Sequence, residues 1–197
     1  AAPLPEPVAE ACIERHGVML RQGYGLTETS PVTHANGRDR KIKLTSCGIA
    51  IPNTEYRIVD LGTGADAETD QLGEGWIRGP QVMKGYLNDP DATREMIDDD
   101  AWLHTGDIGY ADAEGYLFVV DRVKELIKYK GMQVAPAELE GIIQAHPAVA
   151  DVAVIPVPDL EAGELPKAFV VLKPNTEATA DDIMAYVADR VAPHKKV

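Results

Sequence analysis

Short β-prone runs separated by glycine and proline fill residues 54–120 and favour a sheet over a helical fold there. The clearest runs are residues 56–59, 76–78 and 116–120, which are rich in β-branched and aromatic side chains. Turn residues such as Gly79 and Pro80 separate them. Several short strands at such regular spacing predict a small barrel or distorted sheet over about residues 42–120.

The pattern before these strands is less regular. Residues 7–16 predict a short helix with apolar residues on one side. Residues 18–20, Val-Met-Leu, form a short apolar run that predicts a buried strand leading into the glycine-rich segment 22–29. The polar stretch 36–43 predicts an exposed loop.

After Asp121 the pattern changes to a mixture of strands and helices. We predict strands over residues 126–129, 149–157 and 168–172, and helices over residues 137–145 and 180–191. Pro136 stands near the start of the first helix, where proline is tolerated, and acidic residues open the second, as the helix dipole favours. This order predicts a small α+β domain, and we place the domain boundary at Asp121.

Acidic residues outnumber basic ones 32 to 19, and the formal net charge is −13. Binding to nucleic acid or to an anionic membrane surface needs clustered lysine and arginine, so the charge disfavours both partners. A local basic pocket for a nucleotide remains compatible with it. No apolar run approaches the ~18 residues of a membrane span, and no signal-peptide pattern opens the sequence. Cys12 and Cys47 lack metal-ligand spacing and favour a cytoplasmic protein with reduced thiols.

The segment 22–29, Gln-Gly-Tyr-Gly-Leu-Thr-Glu-Thr, combines several groups that suit a nucleotide. Its two glycines would adopt positive φ and let the backbone approach a ligand closely. Its two threonine hydroxyls are within reach of a phosphate oxygen, its glutamate offers the hard oxygen that Mg²⁺ prefers, and its tyrosine offers a flat face for a base. The alternative is a β-turn with an N-capping threonine. The residues that would serve the nucleotide are the glycines Gly23 and Gly25, the threonines Thr27 and Thr29, Glu28 and Tyr24.

Two further segments are rich in glycine. Residues 73–80 with 85–90 contain turn chemistry and predict a strand pair with tight corners, a structural role. In residues 102–109, Asp107 follows Gly106 in a predicted turn, where its carboxylate would accept two hydrogen bonds from a ribose diol. An Asx-turn is the alternative for Asp107. His104 is interpreted as a structural residue.

A fourth segment, residues 121–140, places four cations close together in an acidic chain. They share one parity and would lie on one face of a strand, forming a positive stripe that suits a nucleotide phosphate. The alternative is a solvated charged hairpin whose cations pair with Glu125 and Glu138. The cations are Arg122, Lys124, Lys128 and Lys130.

Taken in order, the four segments resemble the signature motifs of the adenylate-forming superfamily. The superfamily includes acyl-CoA synthetases, 4-coumarate–CoA ligases, firefly luciferase and the adenylation domains of peptide synthetases. The strings are QGYGLTET, IRGPQVMKGYLND, WLHTGD and DRVKELIKYKGMQVAPAELE, and they are most similar to the 4-coumarate–CoA ligase and fatty-acyl-CoA synthetase branch. The resemblance implies an α+β fold. Residues 1–120 would be the β-rich end of a large AMP-binding domain, and residues 121–197 a small mobile C-terminal domain.

The resemblance also implies roles for individual residues toward ATP or AMP, Mg²⁺ and coenzyme A. Two residues would line the adenine and acyl pocket, namely Ala2 and Pro3. The glycine-rich segment would contribute Gln22, Gly23 and Gly25 beside the acyl-adenylate, Tyr24 near adenine, Thr27 at the α-phosphate and Glu28 at Mg²⁺. Asp107 and Arg122 would hold the ribose hydroxyls. Asp121 would be the hinge, Lys128 and Gln133 would act near the adenylate, and Lys130 and Gly131 would contact coenzyme A.

Two motifs of the superfamily have no counterpart in these 197 residues: the Ser/Thr/Gly-rich phosphate loop and the lysine-bearing PKxxxGKxxR-like tail. We therefore interpret the chain as the C-terminal portion of a longer polypeptide and expect no adenylation by this portion alone. Gly75 also replaces a residue that is usually apolar in the superfamily.

The implied substrates are ATP, coenzyme A and a small carboxylic acid, which the sequence does not identify. Three alternatives stay open: adenylation that loads a carrier protein, a luciferase-like oxygenase, and a non-catalytic binding module.

Overall fold

The computed structural model describes residues 4, 6–37 and 41–197. Its internal contacts divide the chain into two compact units, Ala1–Val123 and Lys124–Val197. Both units combine helices with antiparallel sheets, so the predicted α+β class is confirmed. No helix in the described ranges has the length and apolar character needed to cross a membrane.

The first unit opens with helix α1 and a three-stranded antiparallel sheet in the order β1-β2-β3. The bounds are α1 Glu6–His16, β1 Gly23–Gly25, β2 Val32–Ala35 and β3 Ile49–Ala50. The strand expected at residues 18–20 is wrong, because this stretch has no regular structure and Val18 and Met19 are 47% and 71% exposed. Three apolar residues are too few to establish a period, so the run carried little information about burial.

A four-stranded antiparallel sheet in the order β4-β5-β6-β7 makes up the rest of the first unit. The bounds are β4 Glu55–Val59, β5 Gly73–Arg78, helix α2 Pro90–Met96, β6 Leu103–Ala111 and β7 Leu117–Arg122. An isolated bridge between Gly48 and Leu117 links this sheet to the segment that leads into β3. Residues 42–120, where a small barrel or distorted sheet was predicted, thus contain strand β3 of the first sheet and most of this four-stranded sheet. Helix α2, which the sequence analysis did not predict, is capped by the Asp89 carboxylate.

The second unit packs two helices on a four-stranded antiparallel sheet in the order β10-β11-β8-β9. The bounds are β8 Ile127–Tyr129, β9 Met132–Val134, α3 Pro136–Gln144, β10 Val149–Asp159, β11 Gly163–Leu172 and α4 Ala180–Ala188. Its core includes the fully buried side chains Ile127, Leu139, Ile143 and Val187. The strands and helices expected after residue 126 are all present, with bounds that differ by a few residues.

Gly75 lies inside β5 at a position with room for a side chain. A β-carbon there would lie 3.6 Å from Thr105 Oγ1 and 3.9 Å from the Asp107 carbonyl oxygen, which are ordinary contacts. We expect Gly75→Ala to raise the free energy of unfolding by about 0.5–1 kcal/mol, because alanine restricts the unfolded chain more than glycine. Urea unfolding followed by tryptophan fluorescence measures this, since both tryptophans, Trp76 and Trp102, lie in the first unit.

The matched control is Gly73→Ala in the same strand. Its β-carbon would lie 2.4 Å from the Val59 carbonyl oxygen, a backbone atom that has no rotamer to change. We expect this variant to lose about 2 kcal/mol or more. A Gly75→Ala protein that is less stable than the original chain would contradict the description of β5.

His34 on β2 is fully buried, and its Nε2 has no hydrogen-bond partner in the part of the chain that the structure describes. Burial lowers the pKa of His34 to about 4. The unfolded chain takes up this proton below about pH 6.5, so the contribution of neutral His34 is present above that pH and is lost as the pH falls toward 4. We expect the first unit to lose about 2 kcal/mol of unfolding free energy between pH 7 and pH 5.

Tryptophan-monitored urea unfolding at both pH values tests this pH dependence of His34. The comparison is with His34→Gln, which should unfold with a much smaller pH dependence even if its stability is lower at every pH. An unchanged pH dependence in that variant would show that other groups cause it.

Candidate functional site

The glycine-rich segment forms strand β1 followed by a 3₁₀ turn, Thr27–Thr29. Gly23 and Gly25 lie opposite Ala35 and Val32 of β2, and neither glycine has a positive φ, so that prediction is wrong. Glycine is needed at position 25 for another reason: β1 and the chain entering β2 lie too close together there for a side chain. A β-carbon on Gly25 would lie 1.7 Å from the Pro31 carbonyl oxygen.

The three residues of the 3₁₀ turn differ sharply in accessibility. Thr29 is fully buried, and its hydroxyl lies 2.6 Å from the Pro31 carbonyl oxygen and accepts the Leu26 N–H at 2.9 Å. The expectation that Thr29 reaches a phosphate is therefore wrong, because its hydroxyl holds the turn together. Thr27 is exposed and Glu28 is half-buried, so their side chains remain accessible.

Tyr24 and Asp107, 83 residues apart in sequence, are in direct contact. The Tyr24 hydroxyl donates a 2.6 Å hydrogen bond to Asp107 Oδ2. Burial raises the pKa of Tyr24 well above its ordinary value, and the nearby Asp107 carboxylate raises it further. The phenol therefore stays protonated and remains a donor to the carboxylate.

Asp107 lies within β6, directly opposite Arg122 at the end of β7. The turn and the Asx-turn expected for Asp107 are therefore wrong. Arg122 Nε lies 3.4 Å from Asp107 Oδ1, and the Asp107 side chain is 12% exposed whereas that of Arg122 is 60% exposed. The buried Thr105 fixes the backbone here, since its hydroxyl accepts the Asp107 N–H at 3.1 Å and donates to the Gly75 carbonyl at 2.7 Å.

The remaining predicted residues of the first unit lie at several distinct places. Gln22 Nε2 donates to the Leu44 carbonyl oxygen. Asp121 is buried on β7 shortly before the break between the units, and its Oδ1 accepts the Arg122 N–H at 2.8 Å. Ala2 and Pro3 lie outside the described residues.

In the second unit, Lys128 on β8 lies directly opposite Gln133 on β9. The turn between these strands is Lys130 and Gly131, with φ of +48° and +79°, and all four residues are exposed. The structure therefore brings together the four residues that the sequence analysis selected in this unit.

The single-strand stripe of four cations is wrong, because the chain changes structure three times between them, the last time at the turn that contains Lys130. Arg122 ends β7, Lys124 lies in the 3₁₀ turn Val123–Glu125, and Lys128 lies in β8. The pairing considered for Glu138 also differs, since its partner is Lys195 at 2.7 Å.

Tyr86 and Thr105 were not predicted as site residues, although both support residues that were. The Tyr86 hydroxyl donates a 2.8 Å hydrogen bond to Glu28 Oε1. The only signal for Thr105 was its place two residues before Asp107. His104 stacks on Trp76 with ring centroids 3.7 Å apart and contacts Asp98, which agrees with the structural interpretation.

The first unit has two groups of polar side chains. In one, the Asp107 carboxylate lies beside the Arg122 guanidinium and the Tyr24 phenol. The other consists of the Thr27 hydroxyl and the Glu28 carboxylate. The first group, at Asp107, can bind a vicinal diol, because a carboxylate has about four acceptor positions and Tyr24 uses one of them. The second group, Thr27 and Glu28, can hold a phosphate and its cation. Across the described ranges no group of three or more His, Cys, Asp or Glu side chains is arranged to hold a metal ion.

Comparisons with known proteins identify two matching regions. Residues 1–87 match the model of the AMP-binding enzyme family, and residues 138–197 match that of the AMP-binding enzyme C-terminal domain. Among curated relatives, the whole chain is 46% identical to 4-coumarate–CoA ligase-like 6 of Arabidopsis thaliana and 47% identical to 4-coumarate–CoA ligase of Pinus taeda. The chain spans 35% and 37% of their lengths.

Solved structures agree with these matches. The whole chain superposes on 39% of ATP-bound MatB from Rhodopseudomonas palustris with a TM-score of 0.93 and 31% identity. It superposes over 99% of its length on 39% of o-succinylbenzoate CoA synthetase from Bacillus subtilis, solved with the acyl-adenylate OSB-AMP, with a TM-score of 0.86 and 35% identity. Together with the two family models, these similarities show that the chain belongs to the family of AMP-binding enzymes.

Proposed function

We propose that this chain is part of an ATP-dependent acid–thiol ligase that converts a carboxylic acid to its coenzyme A thioester. The observation that carries the proposal is the contact of Tyr24, Asp107 and Arg122 in the first unit. These residues come from three separate segments, and a group able to bind a ribose diol is what an adenylate-forming enzyme requires.

In this proposal the Asp107 carboxylate and the Arg122 guanidinium hold the ribose hydroxyls of AMP. Tyr24 keeps Asp107 in place through its hydroxyl and borders the adenine. The Thr27 hydroxyl binds the α-phosphate, and Gln22, Gly23 and Gly25, in and next to strand β1, lie beside the acyl-adenylate. All of these residues belong to the first unit.

Glu28 fits the role of a ligand to Mg²⁺. Its Oε1 accepts the Tyr86 hydroxyl, and within the described ranges Oε2 receives no hydrogen bond. A single protein carboxylate is a usual contribution to Mg²⁺, which takes its other ligands from phosphates and water. When bound, the cation would offset negative charge on the phosphoryl oxygens.

The proposed reaction has two steps. An oxygen of the substrate carboxylate forms a bond to the α-phosphorus of ATP while the bond to pyrophosphate breaks, which gives acyl-AMP. The thiolate sulfur of coenzyme A then forms a bond to the acyl carbon, and AMP leaves. Donors such as the Thr27 hydroxyl stabilise the charge that develops on the phosphoryl group in the first step.

We propose that residues 1–120 belong to the AMP-binding domain and residues 121–197 to a mobile C-terminal domain, with Asp121 as the hinge. Lys128 and Gln133 act near the adenylate, and Lys130 and Gly131 contact coenzyme A. The exposed β8–β9 hairpin supports this proposal, because it presents both pairs to solvent. Coenzyme A is favoured over a carrier protein because the cited relatives are named as CoA ligases.

The direct test combines binding with catalysis. We expect the 197-residue chain to bind 4-coumaroyl sulfamoyladenosine, a stable analogue of an acyl-adenylate, but to show no ATP–pyrophosphate exchange with 4-coumarate or a fatty acid. The superfamily's phosphate loop and tail lysine have no counterpart in the chain. No binding at about 1 mM analogue would contradict the proposed adenylate site. Exchange above background would contradict the proposal that this portion is insufficient for adenylation.

A further inference from the structure

The segment 79–86 is hydrogen-bonded to Glu28, the central residue of the 3₁₀ turn Thr27–Thr29. The Met83 N–H donates to the Glu28 carbonyl oxygen at 2.7 Å, and the Tyr86 hydroxyl donates to Glu28 Oε1 at 2.8 Å. Tyr86 lies 58 residues from Glu28 in sequence. Backbone and side chain of the same glutamate are therefore both held by one distant segment.

Tyr86 is itself held by the start of helix α2. Its N–H donates to Thr93 Oγ1 at 2.9 Å, and the Thr93 hydroxyl donates to the Asp89 carbonyl at 2.8 Å. The preceding Gly85 has a φ of +146°, and a β-carbon there would lie 2.7 Å from Thr93 Cγ2. A side chain at position 85 would displace the Thr93 side chain, which accepts the Tyr86 N–H, so glycine at this position keeps the Tyr86 backbone bonded to helix α2.

The bond between Tyr86 and Glu28 has a consequence for the carboxylate. A hydrogen bond to one oxygen restricts rotation of the side chain and leaves Oε2 as the oxygen available to a cation. The hydrogen bond to Glu28 is the largest cause that raises the pKa of Tyr86 above its ordinary value. The phenol therefore remains a donor throughout the neutral pH range.

We propose that Tyr86 is a positioning residue that holds the Glu28 carboxylate for Mg²⁺ bound with the nucleotide phosphates. The inference rests on the proposed function, because it requires the assigned role of Glu28. It gives Tyr86, which belongs to the residues 73–80 and 85–90 interpreted above as structural, a part in the site.

The ligand-free test follows the tyrosines by NMR with ¹³C at the ring carbon that bears the hydroxyl. Comparison with Tyr86→Phe assigns the Tyr86 signal. In Glu28→Gln we expect that signal to change its chemical shift at neutral pH, because the charged acceptor of the Tyr86 hydroxyl is gone. A Tyr86 signal with an unchanged chemical shift in Glu28→Gln would overturn the inference.

The second readout is the effect of Mg²⁺ on ATP binding, measured by NMR titration of the 197-residue chain. We expect Mg²⁺ to strengthen ATP binding, and we expect Tyr86→Phe to reduce that strengthening about tenfold while AMP binding stays unchanged. The matched control is Tyr110→Phe, also in the first unit, whose ring stacks on Phe118. It should retain the full Mg²⁺ effect.

These outcomes separate the inference from the proposed function. A full Mg²⁺ effect in Tyr86→Phe would overturn the role of Tyr86 and leave the ligase proposal standing. If the original chain binds AMP but Mg²⁺ does not strengthen its ATP binding, the assigned role of Glu28 is wrong and the inference is overturned with it.

Discussion

Asp107→Ala is expected to lower the affinity of the chain for AMP about 100-fold, measured by calorimetry. A carboxylate that accepts two hydrogen bonds from a ribose diol contributes about 3 kcal/mol, because hydrogen bonds to charged groups are worth about 1.5–3 kcal/mol each. The variant also removes the acceptor of the Tyr24 hydroxyl and the partner of Arg122.

The control for Asp107→Ala is Asp66→Ala, which makes the same change of charge in the first unit. The Asp66 side chain is exposed and lies 3.8 Å from Arg57, a pair expected to contribute little. AMP affinity should stay within about twofold in this variant. Tryptophan fluorescence confirms that both variants are folded. Equal AMP affinity in Asp107→Ala and Asp66→Ala would show that Asp107 does not bind AMP.

Gly25→Ala is expected to destabilise the first unit by about 3 kcal/mol or more and to abolish AMP binding. The added β-carbon would lie 1.7 Å from the Pro31 carbonyl oxygen and 2.9 Å from Val32 Cα. Both are backbone atoms, so relief requires β1 to separate from β2. That movement would displace Tyr24 and the turn that carries Thr27.

Urea unfolding followed by tryptophan fluorescence measures the loss in Gly25→Ala. Gly62→Ala is the matched control, because Gly62 is exposed and a β-carbon there would lie 3.4 Å from the Asp60 side chain. This control should change stability by less than about 0.5 kcal/mol. A Gly25→Ala protein as stable as Gly62→Ala would show that β1 and β2 are not packed as closely as described.

Much of the fold could be predicted because local patterns and packing agree. The strands around Tyr56 and Phe118 combine β-prone residues with flanking turn residues, and the helix after Ala135 begins at a proline. Leu139 and Ile143, four residues apart, lie on one face of that helix and enter the core of the second unit. In such segments, side-chain periodicity and burial point to the same structure.

The errors at Asp107, Gly25 and Thr29 come from contacts that the local pattern does not show, some with distant residues and some with residues only a few positions away. The pairing with β7 keeps Asp107 in a strand where the flanking glycines indicated a turn. Gly25 is needed because the Pro31 carbonyl leaves no room for a side chain, not because its φ is positive. Thr29 is buried and therefore does not reach a ligand. The contact of Tyr86 with Glu28 crosses 58 residues, and no local pattern in either segment indicates it.

The candidate site followed from the order of four motifs rather than from any one of them. Asp107 and Arg122 belong to two different motifs, yet Asp107 Oδ1 and Arg122 Nε lie 3.4 Å apart, and Tyr24 contacts the same carboxylate. The hydrogen-bond partners of the site residues could not be predicted from the sequence. Thr105 and Tyr86 contribute only through Asp107 and Glu28, to which they are bonded.

In our proposal, Tyr24, Asp107 and Arg122 form a binding site for the ribose of AMP. An NMR titration of the ¹⁵N-labelled chain with AMP and with 2′,3′-dideoxy-AMP tests it most directly. AMP should shift the amide signals of these three residues, and the dideoxy analogue should bind at least about tenfold more weakly, because it lacks the diol. Equal binding of the two nucleotides, or no shift of these signals with AMP, would contradict the claim.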